Sequence, residues 1–374
     1  MCIRDRDTIN VDGESELIAS GRRGGGLIEV GGSWQNSDAS VRQAVTTQIE
    51  KGAVLDASAI EDGDGGEIVV WSDISNAESV TSVAGTLLAK GGRKGGDGGR
   101  IETSGAELLL EDGLKAQAGS VDGEAGLWLQ DPTDYTIDSK AVSLIVESLN
   151  SGTNVTVTTT ANNSSQGATG EGSGDITVDS AIVVSGSGSG NLSLIADKDI
   201  QVNAALQNLS GSGDLTLSSK TGVAINSGGS IDWDGGSGGL ISISASDSGG
   251  LSGEGTLYVE GGVVTVSQAQ DTVFAGNYKG GGIFRKSGAG ALTLSGDRTS
   301  FSGTIEPNEG TLKILDTGSI SLTTPITKTS SGTSSFVLET PSNISIDENI
   351  VSNVSGAALN IQAKTAASIV IEDG

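Results

Sequence analysis

The sequence predicts an all-β chain, specifically a right-handed parallel β-helix. Three observations carry that prediction. Short runs alternate apolar and polar residues with a period of two, the mark of strands with one buried face. Glycine-rich corners separate the runs. One motif type returns at intervals, the signature of a solenoid. Composition fits a thin core: glycine is abundant (59), proline scarce (4), and aromatics make up only 3% of 374 residues. Few large side chains are present to offset ordering entropy, yet Val, Ile and Leu recur throughout.

The elements follow in chain order. In the first third, GGLIEV (Gly25–Val30), GGEIVV (Gly65–Val70) and GGRIET (Gly98–Thr103) each place a Gly-Gly corner before an alternating strand. Ile28 and Val30, Ile68 and Val70, and Ile101 and Thr103 are expected on one face. Glu29, Val69 and Glu102 are expected on the other. The stretch Ala141–Leu149 (AVSLIVESL) is the best local exception to the strand pattern and reads as a short helix or a capping element. From about Ser173 the unit changes to GDITV (Gly174–Val178), GNLSL (Gly190–Leu194), GDLTL (Gly213–Leu217) and GLISI (Gly239–Ile243). Partner strands lie between them, at Ala181–Val184, Ile200–Val202 and Val223–Ile225. The repeat is about 20–25 residues, and if every residue coiled this way about 15 coils would form. The crossovers should be right-handed. Corners need positive φ and close backbone approach, which glycine supplies.

Charge and composition exclude several functions. The net charge of −26 arises from 21 Lys and Arg against 47 Asp and Glu. Such a surface repels nucleic acid and anionic lipid. The absence of histidine removes Ser–His and Cys–His nucleophile pairs and His-based zinc sites. Cys2 stands alone, so no internal disulfide or cysteine cluster can form. No apolar run approaches the roughly 20 residues of a membrane-spanning helix. The opening MCIRDRDTIN lacks an apolar signal region and reads as a non-native start, and SIVIEDG at the other end reads as a cut repeat.

The block from Gly65 to Ile137 resembles the repeat region of filamentous haemagglutinin-type exoproteins. It reads GGEIVVWSD, then AGTLLAKGGRKGGDGGRIETSG, then AGLWLQDPTDYTI. The residues on that pattern are Trp71, Asp73, Gly96, Asp97, Gly98, Gly99, Glu102, Ser104, Gly105, Trp128, Asp131 and Pro132. A second stretch, KSGAGALTLSGDRTSFSGTIEPNEGTL at Lys286–Leu312, resembles the β-strand repeat of autotransporter passenger domains. Gly288, Gly290, Gly296, Gly303 and Gly310 carry it. Arg298 and Thr299 stand where that pattern has Asn, and Ile305 and Glu306 shift its alternation.

Both resemblances imply an exported parallel β-helix at the outer surface of a Gram-negative bacterium. They imply a non-catalytic adhesin stalk, a cell-surface glycan or protein receptor, and an outer-membrane transporter for the parent protein. Neither a secretion domain nor a membrane barrel is recognisable, so the chain reads as an interior piece. The expected organisation is 1–10 as the non-native start, 11–138 as haemagglutinin-type coils and 139–172 as an irregular connection or cap. Coils resume over 173–270, the passenger-type repeat covers 271–316, and further coils fill 317–374.

Three sharper functions compete with this scaffold. GGRKGGDGG does not end in the Lys-Ser/Thr of a phosphate loop, so a coil corner is the better reading. Calcium is the candidate cofactor, through Asp62, Asp64, Glu67 and Asp97, but the spacing misses the tandem calcium repeat and the EF-hand. No other cofactor is expected. Asp232, Trp233 and Asp234 form an acid–aromatic–acid group suited to sugar, and polysaccharide cleavage there is the enzymatic alternative. All four tryptophans, Trp34 included, could serve as sugar platforms or plug coil corners, and Trp71 and Trp128, which continue strand alternation, read as packing groups.

Overall fold

The computed structural model describes residues 2–3, 7–159, 173–186, 188, 190–209, 213–233 and 239–371. The chain forms two compact units, 1–198 and 199–374. Each is a stack of coils whose strands pair in parallel with the coils before and after, so the fold is a parallel β-helix.

In the first unit, the first face contains Leu27–Val30, Glu67–Trp71, Arg100–Ser104, Leu127–Asp131 and Asn154–Thr158. The second face holds Thr8–Val11, Thr46–Ile49, Val80–Val83 and Glu107–Leu110, and the third holds Glu16–Ile18, Val54–Asp56, Thr86–Leu88 and Lys115–Gln117. Thr8–Val11 already pairs in register with Thr46–Ile49, so regular coil begins inside the segment expected to be a non-native start.

The three glycine-led strands stack in register as expected: Ile28 on Ile68, Ile68 on Ile101, and Ile101 on Trp128. The inward residues Ile28, Val30, Ile68, Val70, Ile101 and Thr103 are buried. The outward residues differ from expectation, because Glu29, Val69 and Glu102 are buried too. Residues between the strands fold back as a roof over this face. Val69, Trp71 and Ile74 make a second small apolar cluster there, with Trp34 packed against it.

Coil length also departs from expectation here. The stacked first-face positions Ile28, Ile68, Ile101, Trp128, Val155 and Leu192 are 27 to 40 residues apart. The excess lies in the roof and in an insertion. Ser139–Asn150 is an α-helix whose Asp138 carboxylate accepts the N–H groups of Lys140 and Ala141 at 3.0 and 2.9 Å. That side-chain cap satisfies orphan donors of the first turn. Ala141, Leu144, Ile145 and Leu149 are its buried stripe. The helix packs on Lys115–Gln117, where the next third-face strand would otherwise lie.

The second unit keeps the shorter rhythm. Its first-face ladder runs Leu215, Ile241, Val264, Phe284, Ile305, Ile326 and Ile350, spacings of 20 to 26 residues. The passenger-type stretch contributes Ile283–Ser287, Ala291–Leu294, Thr304–Pro307 and Gly310–Leu315. Third-face strands Ala205–Asn208, Ser230–Asp232, Thr256–Tyr258 and Asn277–Lys279 form one continuous ladder. That ladder ends at Asn277–Lys279. A separate one begins at Ile320–Leu322 and continues with Ile344–Ile346 and Ile369–Ile371. The intervening coil has no named strand over residues 295–303, so one rung is missing.

Candidate functional site

The glycine-rich stretch GGRKGGDGG turns the chain from the third face to the first. Gly65 N–H donates to the Asp97 carbonyl and Gly98 N–H to the Glu124 carbonyl, both at 2.9 Å. A methyl group on Gly98 would lie 1.8 Å from the Ala118 carbonyl oxygen, so no larger residue fits. Gly96 has φ +118°, and a methyl on Gly99 would lie 2.1 Å from the Gly66 carbonyl oxygen. The Asp64 carboxylate accepts Asp97 N–H, and the Asp97 carboxylate accepts Glu124 N–H, each at 2.8 Å. These carboxylates staple one coil to the next. Arg93 and Lys94, with Arg22, gather around Glu61, and the Arg22 hydrogen bond leads in holding its carboxyl below the usual range. Among the described residues no three acidic or cysteine side chains converge as a metal-ligand group.

The remaining haemagglutinin-type positions build the roofed face. Trp71, Ser104 and Asp131 share one register line. Trp71 is fully buried and its indole N–H donates to Gln43 Oε1 at 2.9 Å. Gly105 leaves room for the Ser72 hydroxyl, which a methyl there would meet at 2.4 Å. Thr81 Oγ1 donates to the Ser104 carbonyl at 2.7 Å, and Pro132 is buried beside this layer. Trp128 points inward, its indole donating to Thr103 Oγ1 at 3.1 Å.

Glu102 is the unusual member. Its carboxyl accepts Gln35 N–H at 2.8 Å and the Ser104 hydroxyl at 3.0 Å. Gln35 and Asn36 hold positive φ of 44° and 50°, conformations that side chains rarely adopt. Burial raises the Glu102 pKa to about 8, the nearby Asp131 and Glu67 charges adding to the rise. At neutral pH this carboxyl is largely protonated and acts as a structural hydrogen-bonding group. Beside the roof, a shallow trough of about 550 Å³ crosses the stacked glycines. The Arg100 guanidinium, ion-paired with Glu67, lies 4.4 Å from the centroid of the Trp34 ring and occupies that aromatic face.

Two of the three sugar candidates lie among the described residues of the second unit. Trp233 is fully buried and its indole donates to the Gly213 carbonyl at 3.0 Å, so its ring presents no open face. Asp232 accepts from Gln207 Nε2 at 3.0 Å. Asp234 lies outside the described residues. The passenger-type glycines are close-approach positions: methyls on Gly290, Gly296 and Gly303 would fall 2.2, 1.9 and 1.9 Å from carbonyl oxygens of the preceding coil. Gly288 and Gly310 have φ of +75° and +62°.

Two buried lysines were not anticipated from the sequence. Lys286 donates to the carbonyls of Ser287 and Gly288 at 2.7 and 2.8 Å, and Lys328 to that of Asn308 at 2.5 Å. Each amine caps the carbonyls of a corner. Burial lowers the Lys286 pKa to about 8.

The missing rung leaves a cavity of about 560 Å³. Tyr278, Phe301, Ile305, Ile314 and Leu322 form its buried base. Arg298 and Asp316 pair at 2.9 Å along its wall. None of these wall residues was singled out as a binding group in the sequence, although Arg298 and Thr299 are where the passenger-type pattern breaks.

No family model matches this chain, and no curated protein matches it.

Proposed function

We propose that the chain is a non-catalytic β-helix stalk of an adhesin-type exoprotein, displayed outside a Gram-negative cell. The observation that supports this reading is the placement of the haemagglutinin-type residues. Gly65, Gly98 and Gly99 permit coil-to-coil contact, Asp97 staples coils, and Trp71, Glu102, Ser104 and Asp131 lie buried on the roofed face. The distinctive motif is thus spent on stacking. Seven stacked first-face strands in each unit, at about 4.8 Å per rung, give each unit a rise on the order of 30 Å. Repeated coil faces offer many weak contacts that add through multivalency. No described helix is long and apolar enough to cross a membrane. An outer-membrane transporter for the parent protein and a surface glycan or protein receptor remain the partners this reading requires.

Beads coated with the folded chain should adhere to epithelial cells, bacterial cells or an abiotic surface above the level of albumin-coated beads. Equal adhesion of both bead types on all three substrates would sink the proposal. Turnover of any polysaccharide in a glycan panel would favour the enzymatic alternative instead.

A further inference from the structure

The cavity in the second unit exists because one coil lacks its third-face strand. Residues 297–302 remain tied to the preceding coil: Tyr278 N–H donates to the Asp297 carbonyl at 3.1 Å and Gly280 N–H to the Ser300 carbonyl at 3.0 Å. On the following side, Ile320 N–H donates to the Asn343 carbonyl at 2.9 Å, so that strand turns to the coil beyond. The two lips are bridged by the Arg298–Asp316 pair.

The base is aromatic. Tyr278 packs on Phe301 at 5.4 Å between ring centroids and on Phe284 at 6.0 Å. These rings occupy part of the space an inward aliphatic would fill. The Tyr278 hydroxyl is buried and has no hydrogen-bond partner. Such orphan groups are rare in folded proteins and call for a reason. Arg298, Asp316 and Asp297 are the charged groups around it, and burial pushes its pKa well above the ordinary tyrosine range, so it stays a neutral donor. Around the mouth lie the hydroxyls of Ser295, Thr299, Ser321 and Thr323.

We propose that this cavity binds one residue of a neutral saccharide. An apolar base under a hydroxyl rim matches a sugar ring, whose C–H face is apolar and whose edge is polar. A volume of about 560 Å³ falls within the range of small-molecule sites, roughly 300–1,000 Å³. Charge selects against acidic sugars. The one cation of the wall, Arg298, is already paired with Asp316, and Asp297 stands exposed at the mouth. Tyr278, part of the base, carries an unpartnered hydroxyl that can donate to a polar group of a ligand seated there, with the Arg298–Asp316 pair left intact.

The inference names a receptor class for the adhesive reading, and the experiment separates the two. Saturation-transfer NMR and titration calorimetry would be run on the whole chain with methyl glycosides of glucose, galactose and N-acetylglucosamine, and with sialic acid. At least one neutral glycoside should bind, and sialic acid should not. Ser321→Trp fills the mouth from an exposed position and should weaken binding more than about tenfold. Tyr278→Phe keeps the ring and should weaken it about tenfold, the worth of one hydrogen bond. Leu240→Trp adds an exposed indole away from the cavity and should leave binding unchanged. No binding of any neutral glycoside, preference for sialic acid, or binding that survives both Ser321→Trp and Tyr278→Phe overturns the site. Bead adhesion that persists in Ser321→Trp would overturn only the receptor role of the cavity. Sugar binding without bead adhesion would overturn the stalk reading alone.

Discussion

Glu102 should make the stability of this protein fall as pH rises through neutrality. The carboxyl lies on the outward side of its strand, between Val69 and Leu129 in register, under the roof. It is fully buried, and its pKa rises from 4.5 to about 8. A shift of that size is worth up to about 5 kcal/mol, at about 1.4 kcal/mol per unit. The folded state holds this proton more tightly than the unfolded state. Its stabilising contribution is therefore complete below pH 4.5, declines between 4.5 and about 8, and is gone above that. Glu102→Gln keeps a neutral group of the same shape that can still accept Gln35 N–H. Urea unfolding at pH 5, 6.5 and 8.5 is the assay. The wild-type chain should lose several kcal/mol across the series, and the variant should match it at pH 5 and exceed it at pH 8.5. A wild-type stability that is flat over this range, or an unchanged slope in Glu102→Gln, refutes the reasoning.

Three further outcomes follow from the packing. Lys286 has a folded pKa of about 8 against 10.5, so stability should rise by about 3 kcal/mol as pH climbs between those values; Lys286→Met should remove that rise while lowering stability overall, as read by urea melts at pH 7.5 and 10.5. Both amide atoms of the buried Gln130 lack partners, so Gln130→Met should add about 1–2 kcal/mol in the same melts. Gly98→Ala should cost about 3 kcal/mol or more, because its methyl would meet the Ala118 carbonyl at 1.8 Å, whereas Gly261→Ala, with open space around it, should be neutral within about 1 kcal/mol.

The parts of this fold that were legible in the sequence are those fixed by neighbours in the chain. Period-two alternation sets which residues of GGEIVVW and GGRIETS point inward, and a Gly-Gly pair marks the corner that precedes them. The helix at Ser139–Asn150 was legible only in part, as the break in the strand pattern at Ala141–Leu149 that reads as a short helix or a capping element; its capping Asp138 was not read from the sequence. Burial of Glu102 was not legible. Alternation places it outward correctly, but the roof over it comes from distant segments rich in Ser, Asp and Asn, which read like solvated turns. Only the unusual pairing of Trp34 and Trp71 with so acidic a surface hints that something apolar lies outside the coil.

The missing rung shows the same limit from the other side, and here a signal was present. GDRTSFSG breaks the alternation that surrounds it, and the Asp297 carboxylate accepts Thr299 N–H at 2.9 Å, a local turn that competes with a strand. A coil that omits a strand must fill the space it leaves. This chain has only four Phe and three Tyr, yet Phe274, Tyr278, Phe284 and Phe301 fall within one short stretch around the gap. In a solenoid built from small aliphatics, a local concentration of rings marks the coil where the regular packing fails. That coil is where a cavity, and with it a binding function, can be built without weakening the stack on either side.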